Sequence, residues 1–127
     1  MPDGTLPDGS LLDGTWIPTT AELGGQRLPD DSFKSAKMIL ARGTYLVSIG
    51  DVRDRGVIKL GVSKNPGMMD ITGTEGPNEG RTIPAIYELN GDSLTICYAL
   101  EGTTRPTEFI TKAETKLYLV KYKRAYP

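Results

Sequence analysis

A chain of 127 residues with 15 basic and 16 acidic side chains carries a net charge of −1 and no histidine. The missing imidazole excludes Ser-His-Asp and Cys-His nucleophile activation and removes the commonest zinc ligand, while the mixed charge leaves no electrostatic footprint for nucleic acid. Its 15 Gly and 9 Pro are too many breakers for a helical bundle, and one cysteine cannot form an internal disulfide.

The length suits one domain with one core. Residues 1–10, "MPDGTLPDGS", read as a flexible arm, and residues 11–127 as the folded domain. The arm has neither the basic region nor the apolar run of a secretion signal, so the cytoplasm is the default location. No apolar run reaches the roughly 18 residues of a membrane span. "LLDGTWIPTTAEL" then turns apolar and β-like, and "GGQRLP" turns the chain. "PDDSFKSAK" predicts one short helix, with Pro29 in its first turn and Asp30 and Asp31 at the positive end of its dipole.

Strands follow. "KMILAR" and "TYLVSIG" flank Gly43 as a tight hairpin, and "RGVIKLGVS" is the next strand, before the turn "KNPG". "MMDITGT" is a short strand before the loop "EGPNEG". "RTIPAIYEL" and "SLTICYAL" flank "NGD", where Asn-Gly predicts the positive φ angles of a type I′ turn, and "KLYLVKYKRAY" is the last strand. About eight short strands without alternating helices predict an all-β, antiparallel barrel, closed so that no edge is left to aggregate.

"GTW", that is Gly14, Thr15 and Trp16, resembles the Gly-x-Trp that opens the first strand of lipocalin-like (calycin-type) barrels. The resemblance implies that Trp16 plugs the closed end under a basic residue of the last strand, for which "VKYKRAY" offers Lys121, Lys123 and Arg124. Over residues 12–124 the chain also resembles a lipocalin-like family of uncharacterised bacterial proteins, best represented in planctomycetes. The matching segments are "GTWIPTTAELGGQRLP", "MDITGTEGPNEGRTIPAIYELNGDSLTICYAL", "RPTEF" and "LVKYKR". This resemblance implies a barrel and leaves the activity open. Many relatives carry an exported leader, which this sequence lacks at its start.

Cys97 alternates with Ile96 and Tyr98 and reads as a buried packing residue, since only Arg105 is near in sequence to depress its pKa. Arg105, in "GTTRPTEF" beside Glu108, is either tied to a carboxylate such as Glu108, Glu88 or Asp70, or grips an anionic ligand group at the barrel mouth. Asp70 and Glu88 interrupt apolar strands; inward they would need Arg105 or Lys59 as partners and would suit acid/base work, outward they are solvated charges. Tyr45, Tyr87, Tyr98, Tyr118 and Tyr122 are either core packing or the lining of an aromatic pocket. "LVSIG" and "GVSKN" each keep half of Gly-x-Ser-x-Gly and precede no helix, so neither is a nucleophile elbow.

These residues favour a binding module for a small apolar or amphiphilic molecule with a polar or anionic end. Tyr45, Tyr87 and Tyr98 would line its cavity, and Arg105 with Glu108 or Asp70 would fix the head group. The alternative is a histidine-free hydrolase of small activated esters, with Asp70 or Glu88 as base and Arg105 or Tyr98 stabilising the oxyanion. No metal, cofactor or nucleic acid is expected in either case. A solid barrel serving as a structural domain is the third reading, and no oligomeric state is legible.

Overall fold

Turns at Arg42-Gly43, Gly50-Asp51 and Gly91-Asp92 and long runs of alternating burial mark out nine strands among the described residues. The structure, a computed structural model, describes residues 12–33, 35–64, 67–100, 104–113 and 115–125; the proposed arm at 1–10 lies outside them. The strands are β1 (Gly14–Leu23), β2 (Gln26–Arg27), β3 (Ala36–Ala41), β4 (Thr44–Ile49), β5 (Val52–Lys64), β6 (Gly67–Glu75), β7 (Thr82–Asn90), β8 (Ser93–Ala99) and β9 (Leu117–Ala125). Each pairs antiparallel with the next in the order β2-β1-β3-β4-β5-β6-β7-β8-β9, and β9 returns to β1. Strands β1 and β3 to β9 thus close an eight-stranded barrel, with β2 a short appendage of β1. Closure pairs the edge strands with each other, which answers the aggregation hazard of an open sheet. Among the described residues, no helix is long and apolar enough to cross a membrane.

Two local expectations fail. Where the sequence predicts a helix over "PDDSFKSAK", only a 3-10 turn forms, at Asp30–Ser32. Phe33 is buried just after it, and Ala36, Met38 and Leu40 alternate inward on β3, so strand pairing begins before a helical turn could propagate. At "NGD" the turn is shifted by one residue: Asn90 still pairs with Ser93, and only Gly91 has a positive φ, 62°. That is the φ pattern of a type II′ turn with Gly91 first, not of a type I′ turn on Asn90-Gly91. The Arg42-Gly43 turn does have both φ values positive, 51° and 79°, as type I′ requires.

Inward residues of every barrel strand make one core. Trp16, Met38, Leu40, Met69, Ile83, Leu94, Ile96 and Val120 belong to it. The barrel has two unlike ends. One carries the start of β1 and the Arg42-Gly43 and Gly91-Asp92 turns, and Trp16 fills it. The other carries the 3-10 turn, the Gly50-Asp51 turn and the 76–81 loop.

The connection from β8 to β9 does not stay at that second end. Arg105 Nη1 donates to the carbonyls of Met69 and Ala85, both at 3.0 Å, and Nη2 to Asp70 Oδ1 at 2.7 Å, which fixes the segment on the outside of β6 and β7. Farther along, the buried Thr111 donates to the Glu22 carboxylate and accepts the Gly25 N–H, which fixes it beside β1. Between these anchors the chain forms a strap over the outer face of β8 and β9. Ile86, Cys97 and Ala99 alternate with core residues and so face outward, yet they are buried and stand apart from the main core, as residues beneath such a strap would.

Candidate functional site

At the closed end, the polar groups around Trp16 are engaged by other parts of the protein. The Trp16 indole N–H donates to the Leu12 carbonyl at 2.9 Å. The Arg124 guanidinium lies over the Trp16 ring, 4.3 Å from its centroid, and donates to the Asp13 carbonyl at 2.9 Å and to Asp92 Oδ1 at 3.1 Å. Gly14 leaves room for this: a Cβ there would stand 2.8 Å from Arg124 Nη1. Of the three basic residues the sequence offers, Arg124 covers the ring, while Lys121 and Lys123 alternate outward and are exposed.

Behind this plug the barrel is hollow. A cavity of about 280 Å³ opens toward the other end, its walls mainly Met38, Leu40, Val47, Ile58, Ile71 and Ile83. Phe33, Pro77 and Asn78 stand at its mouth with the exposed Ile49 and Val52. Two polar groups interrupt the apolar wall. On β4 and β5, Tyr45 donates to Asp54 Oδ1 at 3.4 Å, and Asn78 Nδ2 donates to Asp54 Oδ2 at 2.7 Å. Gly56 permits this, because a Cβ there would meet the Tyr45 ring at 2.7 Å and the Thr72 carbonyl as well. Asn78 in turn accepts from Arg81, whose other Nη donates to the Leu100 carbonyl, so the 76–81 loop is moored against the rim.

On β8 and β9, the Tyr98 and Tyr122 hydroxyls are 2.6 Å apart, and the Tyr118 ring stacks at a tilt on Tyr98 with centroids 5.7 Å apart. Burial holds all these phenols neutral: it pushes Tyr98 and Tyr122 well above the ordinary value and raises Tyr118. Burial, reinforced by the Asp54 charge and hydrogen bond, pushes Tyr45 up to about 12. At neutral pH they are hydrogen-bonding groups rather than nucleophiles or bases.

Of the residues the sequence nominates, Tyr45 and Tyr98 line the cavity, joined by Tyr118 and Tyr122. Tyr87 is buried in the core, its ring against the space a Cβ of Gly67 would need. Arg105 is outside the barrel, so it does not grip a ligand at the mouth; its partner is Asp70, one of the carboxylates considered for it. Asp70, Glu88 and Glu108 also lie off the cavity wall, Glu88 and Glu108 exposed, because alternation turns Met69, Ala85 and Tyr87 inward instead. The groups that the hydrolase reading needs in one cavity are therefore separated by the barrel wall. Cys97 sits beneath the strap, where burial and the Glu22 charge push its thiol up to about 11, the opposite of activation.

Asp54 and Asn78 were not nominated by the sequence. The signal for Asp54 is the alternation Asp54, Gly56, Ile58, Leu60, legible only if the strand begins at Val52 and not at Arg55. Asn78 had no local signal, since it reaches the site through the fold of a loop. Among the described residues no cluster of His, Cys, Asp or Glu is arranged to hold a metal ion. Comparison with protein-family models, curated proteins and solved structures returned no match.

Proposed function

We propose that this chain is a lipocalin-like binding protein that takes one small, mostly apolar molecule into its barrel. The observation that carries this reading is the hollow itself. A void of about 280 Å³ lined mainly by aliphatic and aromatic side chains and open at one end persists in a core that could have been filled. Close packing leaves few natural interiors with voids much larger than a water, and an engineered apolar cavity of roughly 150 Å³ already binds benzene. Ligand pockets begin near about 300 Å³, so the hollow suits a molecule of up to two or three rings, or of a short alkyl chain, with a small polar group.

The test is binding of a neutral fluorescent reporter, N-phenyl-1-naphthylamine, to purified protein, beside Val47→Phe. Val47 faces the cavity from β4, and the added ring occupies the hollow rather than displacing core atoms. Saturable binding at one reporter per chain, weakened at least about tenfold in Val47→Phe with the thermal transition retained, is expected. No reporter binding, or equal binding in both proteins, would sink the proposal.

A further inference from the structure

The hollow has a charge sign, and it is opposite to that of an acid-binding pocket. In an eight-strand ring, β4 stands opposite β8 and β5 opposite β9. The Tyr45–Asp54–Asn78 group and the Tyr98–Tyr122 pair therefore belong to facing walls of a largely apolar lining, with Tyr45 near enough to Tyr98 to act on it electrostatically. Asp54 is the only carboxylate among the described residues of the lining; the one cation there, Lys37, is exposed at the rim. Arg105, the strongest cation candidate from sequence, is held outside by two carbonyls and Asp70.

We infer that the ligand is a small amine: an apolar body whose ammonium group is taken by Asp54 and whose other end offers a hydrogen-bond acceptor to the Tyr98–Tyr122 pair. This rests on the binding reading above. An anionic head group would be brought into a low-dielectric hollow against a carboxylate with no facing cation, whereas an ammonium gains a charge-assisted hydrogen bond to Asp54. A carboxylate has about four lone-pair sites, and Tyr45 and Asn78 take two of them, leaving acceptor capacity on a residue of the cavity lining. At the opposite wall, the phenol pair uses one of its two protons in its mutual bond, so the second is a donor for a carbonyl, ether or hydroxyl oxygen. Both phenols are neutral, so neither attracts the ammonium away from Asp54.

A matched series separates this inference from the binding reading. Octylamine, octanol and octanoate present the same chain with a cationic, neutral or anionic end, and each is titrated against the N-phenyl-1-naphthylamine complex at pH 7. The amine should displace the reporter about ten- to a hundredfold more tightly than octanoate, with the alcohol between them. In Asp54→Asn, which keeps the shape of the side chain, the amine's advantage over the alcohol should vanish while alcohol binding persists. Equal displacement by all three, or a preference for octanoate, would overturn the inference and leave the cavity reading standing. Failure of the reporter to bind at all would remove both. The series on the unsubstituted protein decides the charge preference even if Asp54→Asn does not fold. A loss of amine and alcohol binding together in that variant would show that Asp54 shapes the mouth instead of recognising charge, and would also overturn it.

Discussion

The two ends of this barrel use similar side chains for opposite purposes. At the closed end an aromatic ring, an arginine and an aspartate are joined so that each polar group meets a protein partner: Trp16 to Leu12, Arg124 to Asp13 and Asp92, and the guanidinium over the indole. At the open end Tyr45, Asp54 and the Tyr98–Tyr122 pair are bonded among themselves but border a hollow. Consistency between local chemistry and global fold is what makes a sequence specify a structure, and natural proteins relax it where they work. The closed end is where this chain is fully consistent. The open end is where interior volume is left unfilled and polar atoms face it.

The most forceful way to break that contrast is Trp16→Ala. Trp16 has 0% exposure and also seats Arg124, so its removal should cost about 3–5 kcal/mol in urea unfolding, as large aromatic truncations do. Val47→Phe, at the open end, should by comparison leave stability nearly unchanged. If Trp16→Ala costs under about 1 kcal/mol, the closed end is not the anchor of the fold.

Arg105 extends the contrast to the outer wall, where an arginine again meets carbonyls and an aspartate. Its side chain and that of Asp70 are 30% and 39% exposed, so water screens the pair and Arg105→Ala should cost only about 1–2 kcal/mol. The sharper readout is Cys97. In the intact protein the thiol is fully buried and should resist dithionitrobenzoate at pH 8; with the strap released at its Arg105 anchor, labelling should accelerate at least about tenfold. Reporter binding in the cavity should not change. Unaltered labelling would mean that something other than this strap covers Cys97.

What the sequence discloses follows the same division. Alternation and turn residues carry the strand plan, because in an antiparallel barrel both act over a few neighbouring residues; the eight barrel strands were legible in order. The Trp16 plug was an expectation of the resemblance that Gly14, Thr15 and Trp16 carry, and choosing Arg124 over Lys121 and Lys123 needed the register of β9 on β1. Arg105 was misplaced at the mouth because nothing in "GTTRPTEF" tells that the chain leaves the open end and crosses the outer wall. Asp54 was hidden by where its strand begins. Strand β5 starts at Val52, and its alternation Asp54, Gly56, Ile58, Leu60 turns Asp54 inward, whereas the apolar stretch read from Arg55 leaves it out. The helix over "PDDSFKSAK" failed because a local propensity met a strand that had to pair on both sides.

The smallest effect tests the open end most finely. Tyr45→Phe removes a 3.4 Å hydrogen bond and should cost under about 1 kcal/mol at pH 7. Its signature lies at alkaline pH. In the folded protein the Tyr45 phenol is pushed up to about 12 from its ordinary 10.0, first by burial and then by Asp54, so the folded state holds a proton that the unfolded chain releases. That contribution is fully present below pH 10 and is lost as pH rises through about 12. Cys97, raised from 9.0 to about 11, and the other buried tyrosines give both proteins a falling background over the same range. Unfolding free energies measured from pH 8 to 12 should therefore fall more steeply in the original chain than in Tyr45→Phe, with the gap between them closing above pH 10 and reversing toward pH 12. Parallel curves would mean that Tyr45 reaches solvent too freely to border a dry hollow, and the apolar mouth assigned to that end would have to be redrawn.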